Sequence, residues 1–265
     1  RINRTLYEAL LHSVDVVDIR GSLRKMMAGD IMNATEDRAV GHMALRAPAT
    51  SSPMAQQASG QLERAKAVAD GVRSGSVCGA SGKQFATVIT IGIGGSDLGP
   101  AMATRALRRL HGGLVVRFVS NVDAADLDAA LEGLNPQRTL FIVSSKTFTT
   151  LETMHNAERA RAWVSAAGID WRSRFAAATA NPGAAVAWGI PVEQTFEFFD
   201  WVGGRFSLSS VIGLPLMCAI GVDRFNEMLQ GMRDTEKDAR ASSGNATTAP
   251  TGQSLLSQVS RTAQQ

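Results

Sequence analysis

Three loops concentrate the residue types that could hold an anion. The first is Ile91-Gly-Ile-Gly-Gly-Ser-Asp-Leu-Gly-Pro100. Glycines let a backbone turn tightly and approach a ligand. A helix starting just after them offers unpaired N–H groups and a positive dipole end, both suited to phosphate. Ser96 adds a hydroxyl donor. The loop is not a dinucleotide fingerprint, because Asp97 fills the third glycine position counted from Gly92. A Walker A loop is also excluded, since Gly82-Lys83 is followed by Gln84. The competing reading is a plain strand-to-helix turn capped by Ser96.

The second loop is Ser144-Ser-Lys-Thr-Phe-Thr-Thr150. Its hydroxyls and the Lys146 ammonium could make charge-assisted hydrogen bonds to a phosphate dianion. A Ser/Thr helix cap beside an exposed lysine is the alternative. The third loop is Asp200-Trp-Val-Gly-Gly-Arg-Phe-Ser-Leu-Ser-Ser210. Arg205 stands at the start of a helix, where a cation is unfavourable unless an anion accompanies it. An anionic substrate would resolve the conflict; so would a local pairing with Asp200. Glu152 falls one turn into the helix after Thr147, facing either the same pocket or solvent.

The elements that must position these loops alternate. Runs at 85–92, 115–119 and 139–143 are apolar and β-branched, as expected of strands buried on both faces. Weaker strands are read at 174–179 and 195–199. Helices are expected at about 60–73, 98–110, 123–132, 149–166, 208–220 and 223–240. Strands alternating with helices predict an α/β fold, a doubly wound parallel five-stranded sheet with right-handed crossovers. A flavodoxin-like order 2-1-3-4-5 places the first and third strands at the switch point, where such sheets bind ligands. Residues 1–46 read as helical, with Thr35 as the N-cap of a helix over 35–46. The division expected is an N-terminal helical segment (1–58), an α/β domain (59–222), a helix (223–240) and a mobile polar tail (241–265).

Composition narrows the function. The 265 residues are 45% hydrophobic and 19% charged, which suits a folded chain rather than a disordered one. The net charge of +3 is small, and Arg105, Arg108 and Arg109 form the only dense basic group, so no nucleic-acid surface is expected. No apolar run approaches the roughly 18 residues of a membrane span. Cys78 and Cys218 make no C-x-x-C motif, which favours a reducing, cytoplasmic setting. His12, His42, His111 and His155 show no metal-ligand spacing. The chain begins at Arg1 rather than Met.

Together the three loops resemble the glucose-6-phosphate isomerase family, whose members are built from two sugar-isomerase (SIS) domains. The similar stretches are Gly92–Pro100, Ser144–Thr153 and Asp200–Gly213; Asn33-Ala-Thr-Glu-Asp-Arg-Ala-Val-Gly-His-Met-Ala-Leu-Arg46 is similar to an early Thr-Glu-x-Arg-Ala segment. The likeness covers about residues 30–240, and Val-Gly-Gly-Arg-Phe-Ser is its most specific motif. The resemblance implies that Ser96, Ser145, Lys146, Thr147 and Thr150 hold the substrate phosphate. It implies that Gly95 and Gly204 let the backbone approach the sugar. Arg205 would stabilise an enediolate, and Glu152 would lie near the ring-opening machinery. It further implies an aldose–ketose isomerisation of a sugar phosphate needing no metal or organic cofactor, in a homodimer.

The departures matter as much. In the family the catalytic base lies in a Glu-Ser-Asn-Gly-Lys type segment and the ring-opening histidine follows Gly-x-Asn-Gly-Gln. Neither segment occurs in these 265 residues. The expectation is a first-domain half, or a truncated or divergent relative, that on its own binds sugar phosphate weakly or not at all and is nearly inactive. A non-catalytic sugar-phosphate module is the second expectation. A nicotinamide oxidoreductase is the third, and Asp97 argues against it.

Overall fold

The computed structural model describes residues 3–79 and 82–244. Two helices open the chain, α1 (Arg4–Val16) and α2 (Ile19–Ala28). The carboxylate of Asp18 accepts from the Gly21 N–H to start α2, and Gly29, at φ 83°, ends it. A small antiparallel hairpin follows, β1 (Ile31–Asn33) and β2 (Arg38–Ala39).

This hairpin corrects the expected helix over 35–46. The Asn33 side chain accepts from the Glu36 N–H and donates to the Glu36 carboxylate. Asp37 takes a left-handed φ of 51°. Asn and Asp stabilise such turns through their short side chains, and the turn wins over the Thr35 cap. Within the expected span only a short 3₁₀ helix, His42–Leu45, forms, and a second, Ala49–Ser51, follows. The next α-helix, α3 (Pro53–Ser74), begins ahead of the expected position 60. Ser52 caps it by accepting from the Ala55 N–H, with Pro53 in the first turn, where its missing N–H does no harm.

The alternating part then runs β3 (Thr87–Gly92), α4 (Leu98–Ala106), β4 (Val115–Val119), α5 (Ala124–Leu131), β5 (Thr139–Ser144), α6 (Leu151–Ala166), β6 (Phe175–Thr179), α7 (Pro182–Trp188) and β7 (Thr195–Glu197). Helix α7 was not anticipated, although Asn181 caps it, Pro182 opens it and Gly189 closes it. The sheet order is β4-β3-β5-β6-β7, with every pair parallel. This is the expected 2-1-3-4-5 order. Strands β3 and β5 are buried along their whole length, because helices cover both faces.

Alternate strand residues feed two cores. Val88, Leu140, Ile142, Ala176 and Phe196 pack with α3, Ile212 and the helices α8 (Leu214–Ile220) and α9 (Val222–Gly244). Ile89, Ile91, Phe141, Val143 and Phe175 pack with α5, α6 and α7. The expected helix over 208–220 is broken. Gly204–Ser209 and Val211–Gly213 are 3₁₀ turns, and only then does α8 start. Ser207 and Ser210 explain the break: their hydroxyls donate to the Gly204 and Ser207 carbonyls, competing with helical bonding. Helix α9 extends the expected 223–240 helix to Gly244. Most of the segment read as a polar tail, residues 245–265, lies outside the described residues.

Candidate functional site

The three loops meet at the carboxyl ends of β3 and β5. They enclose a cleft of about 180 Å³. From the first loop come Ile93, Gly95 and Ser96; from the second, Ser144, Ser145, Lys146, Thr150 and Thr153; from the third, Gly204 and Ser207. Phe198, just past β7, supplies an apolar wall. Ligand pockets for drug-sized molecules are usually larger, about 300–1,000 Å³. The cleft therefore suits a compact group such as a phosphate, with the rest of a ligand projecting outward.

Local chemistry fixes each loop. Ser96 ends a 3₁₀ turn (Gly94–Ser96) and does not cap α4; Asp97 occupies the cap position and its side chain makes no capping bond. In the second loop the Ser145 hydroxyl accepts from the Phe148 N–H at 3.1 Å. That bond holds Phe148 at φ 57°, a left-handed geometry a bulky residue adopts only when its surroundings impose it. Burial of the Phe148 ring against Trp188 is the second restraint. Thr150 precedes α6 without capping it, and its hydroxyl lies 3.2 Å from that of Ser145. The Ser/Thr cap alternative is thus not realised at either helix, and the first-turn N–H groups receive no cap side chain.

Lys146 Nζ donates to the Asp200 carbonyl at 2.9 Å. Burial, then the nearby Arg38, pull its amine below the usual lysine range, while Glu36 and Asp200 oppose them. The glycines of the other loops touch. A Cβ built on Gly95 would lie 2.5 Å from the Gly204 Cα. Ser207 joins the same two residues, its hydroxyl lying within 3.1 Å of the Gly95 carbonyl and 2.7 Å of the Gly204 carbonyl.

Among the residues singled out in the sequence, Gly95, Ser96, Ser145, Lys146, Thr150 and Gly204 line the cleft, and Thr147, Glu152 and Arg205 do not. Thr147 is exposed and its hydroxyl accepts from Thr149. Glu152 is half-buried in the first turn of α6. Arg205 is exposed, with its guanidinium 5.8 Å from the Phe206 ring centre. The pairing of Arg205 with Asp200 is absent among the described residues; Asp200 meets Arg38 instead, at 3.4 Å. Phe206 also stacks with His42, ring centres 4.2 Å apart.

Ser144, Thr153 and Ser207 were not picked out individually. Thr153 is 1% exposed and stands three residues after Thr150, so it shares that helix face. Ser207 closes the Gly-Gly-Arg-Phe-Ser motif itself. Asp97, next to Ser96, is buried, and Oδ1 of its carboxylate has no partner among the described residues. Burial raises its pKa, against the Ser120 hydroxyl and Arg105, which lower it.

A doubly wound α/β domain with hydroxyls, an ammonium and glycine backbone gathered at its switch point is the class of protein that this fold and site define, with a cleft where open sheets of this kind take ligands. The family model for phosphoglucose isomerase matches residues 1–263, and the chain belongs to that family. Glucose-6-phosphate isomerase 1 of Streptomyces avermitilis is 45% identical over 253 residues, covering 91% of this chain and 45% of that protein. Glucose-6-phosphate isomerase of Roseiflexus sp. is 44% identical over 250 residues, covering 91% of this chain and 46% of that protein. A crystal structure of a glucose-6-phosphate isomerase from Chlamydia trachomatis superposes with a TM-score of 0.73 at 29% identity, covering 87% of this chain and 46% of that one. The chain spans about half the length of the curated relatives it matches. No described helix is long and apolar enough to cross a membrane.

Proposed function

We propose that this chain is the phosphate-gripping part of an aldose–ketose isomerase that interconverts glucose 6-phosphate and fructose 6-phosphate in the cytoplasm. The observation that carries this reading is the convergence of Ser96, Ser145, Lys146 and Thr150 on one cleft at the switch point. Ser145, Lys146, Thr150 and Ser96 serve as phosphate donors, with Thr147 at the rim. Gly95 and Gly204 let the sugar lie close to backbone. Arg205, exposed and next to Gly204 in the third loop, would neutralise an enediolate, a preorganised electrostatic role. Glu152 assists near ring opening.

The isomerisation opens the sugar ring and moves a proton between C2 and C1 through a cis-enediol. Proton abstraction from carbon needs a positioned base, contributing about 10²–10⁴-fold. The family segments for that base and for the ring-opening histidine do not occur in this sequence. The chain therefore binds sugar phosphate and turns it over very slowly on its own, while a homodimer of longer chains does the full reaction. A non-catalytic sugar-phosphate-binding module is the second reading, favoured by the same retention of phosphate donors without the base segment.

The test is calorimetric titration with glucose 6-phosphate, inorganic phosphate and glucose, beside a coupled assay from fructose 6-phosphate. The expected result is binding of both phosphates, none of glucose, and almost no turnover. Efficient turnover abolished by Arg205→Ala, Asp97→Asn or Glu152→Gln would show a complete site and overturn the account of the base. Absence of phosphate binding by a folded chain would overturn the phosphate site.

A further inference from the structure

Among the described residues Lys146 is the only charged one lining the cleft, and the support of the peptide that holds its ammonium lies outside the three loops. One of its three donors is engaged by the Asp200 carbonyl at 2.9 Å, leaving two for an anion. The Asp200 peptide is tethered in turn. Its carboxylate accepts from the Arg38 guanidinium at 3.4 Å. The next carbonyl, of Trp201, accepts from the Gly41 N–H at 3.0 Å. Both tethers come from β2 and the residues just after it, far away in sequence. A Cβ on Gly41 would meet the Trp201 ring at 2.8 Å, so the two segments run in close contact.

We propose that Arg38 is a positioning residue for Lys146: through the Asp200 side chain it fixes the peptide whose carbonyl aims the ammonium at the cleft. Arg38 does not line the cleft, so its action passes through Asp200 and not through the ligand. The functional consequence rests on the phosphate-site reading above. The positional link does not. The hairpin β1–β2 thereby becomes part of the site's support. Arg38 also lies 3.9 Å from Glu36, so the turn that replaced the expected helix contributes a carboxylate to the same charge cluster.

The experiment uses the full chain with Arg38→Met, Arg38→Lys, Asp200→Asn, Lys146→Met and the double variant Arg38→Met with Lys146→Met. Glucose 6-phosphate affinity is read by calorimetry. The Arg38→Met and Asp200→Asn variants are expected to bind about two- to fivefold more weakly, the range for partly exposed ion pairs, and Arg38→Lys to keep most of the affinity. In the Lys146→Met background, Arg38→Met should add no further loss, as required of residues acting through one another. Additive losses would make Arg38 a direct ligand contact and overturn the proposal.

A second readout is independent of sugar phosphate. Trace amine labelling, followed by mass spectrometry, compares Lys146 with Lys66. Removing the Arg38 charge and removing the Asp200 charge have opposite direct effects on the Lys146 amine. Rates are taken across pH to compare the neutral amine itself, and a higher limiting rate for Lys146 in both variants reports a released ammonium. No acceleration in either, or opposite changes, overturns the link. A wild-type chain that binds no sugar phosphate would defeat the phosphate reading alone, and the labelling would still decide the link.

Discussion

Gly95 and Gly204, 109 positions apart in the chain numbering, meet backbone to backbone in the lining of the cleft. A Cβ on Gly95 would come within 2.5 Å of both Cα and carbonyl carbon of Gly204, whereas a Cβ on Gly204 would approach Gly95 no closer than 3.3 Å. The asymmetry makes a ranked prediction. Gly95→Ala must push two backbones apart, since no flexible side-chain end can yield. Such overpacking destabilises by about 1–3 kcal/mol, and it should weaken glucose 6-phosphate binding more than tenfold. Gly204→Ala should be milder in both respects. Thermal unfolding and calorimetry on the two variants check this, and the reverse ranking would contradict the geometry.

The same pair depends on Ser207, which is 1% exposed. Ser207→Ala removes the hydroxyl that lies against both glycine carbonyls. The carbonyls stay in place without their donor, so the cost should be about 1–3 kcal/mol. Urea unfolding should show a lower midpoint at an unchanged slope. A midpoint equal to wild type would mean the hydroxyl contributes nothing to holding the loops.

Arg46 makes a separate tie. It is 8% exposed, donates from Nε to the Glu236 carboxylate at 2.8 Å and from a terminal nitrogen to the Ser209 hydroxyl at 2.7 Å. It links the end of the His42–Leu45 turn, helix α9 and the third loop. Glu236→Ala leaves the guanidinium buried without its carboxylate, and loss of one partner of such a pair costs about 3–5 kcal/mol. Arg46→Met should cost less, because an apolar chain then fills the site. Equal or opposite losses in denaturant unfolding would refute this.

How much of this was legible follows from the range of the interactions. The sheet order was readable because continuous apolar runs such as Thr87–Gly92 mark doubly covered strands, and short connections leave few windings. The three loops stood out because glycines, hydroxyls and a cation cluster locally. The helix expected over 35–46 failed because the Asn33–Glu36 turn and the left-handed Asp37 outweighed one plausible cap. Helix α7 was missed although Asn181, Pro182 and Gly189 are all local signals. The support of the site was not legible at all: Arg38 meets Asp200 across 162 positions and Arg46 meets Glu236 across 190. No spacing rule reaches that far.

His42 offers a pH test. Its ring stacks on Phe206 and its buried Nδ1 has no partner among the described residues. Burial first, then Arg46, lower its pKa from 6.5 to about 4. The unfolded chain takes up this proton as pH falls through 6.5, and the folded chain only near 4. Stability from the neutral imidazole is therefore full above pH 6.5 and lost progressively down to pH 4. Partial exposure reduces the amount to about 1–2 kcal/mol. His42→Phe keeps a stacking ring and removes the titration. Over that window the variant should lose less stability than wild type by this amount. Parallel stability curves would place the imidazole in an ordinary solvated setting.

Asp97 carries the opposite sign. Burial raises its pKa, so the folded state binds this proton more readily than the unfolded state. Its penalty is present above the folded pKa and is relieved as pH falls through it. Asp97→Asn removes the charge and keeps the shape. At pH 8 it should leave the chain as stable as wild type or more so, by up to about 1 kcal/mol. The advantage should shrink on acidification. Because Asp97 follows Ser96 but does not line the cleft, the same change leaves the phosphate donors intact and removes a neighbouring negative charge. Affinity for glucose 6-phosphate should then rise, by about two- to fivefold at low salt and less at high salt. A variant that unfolds more easily at pH 8, or binds phosphate more weakly, would show that the carboxylate is held by partners that need its charge, and that Asp97 supports the first loop instead of straining it.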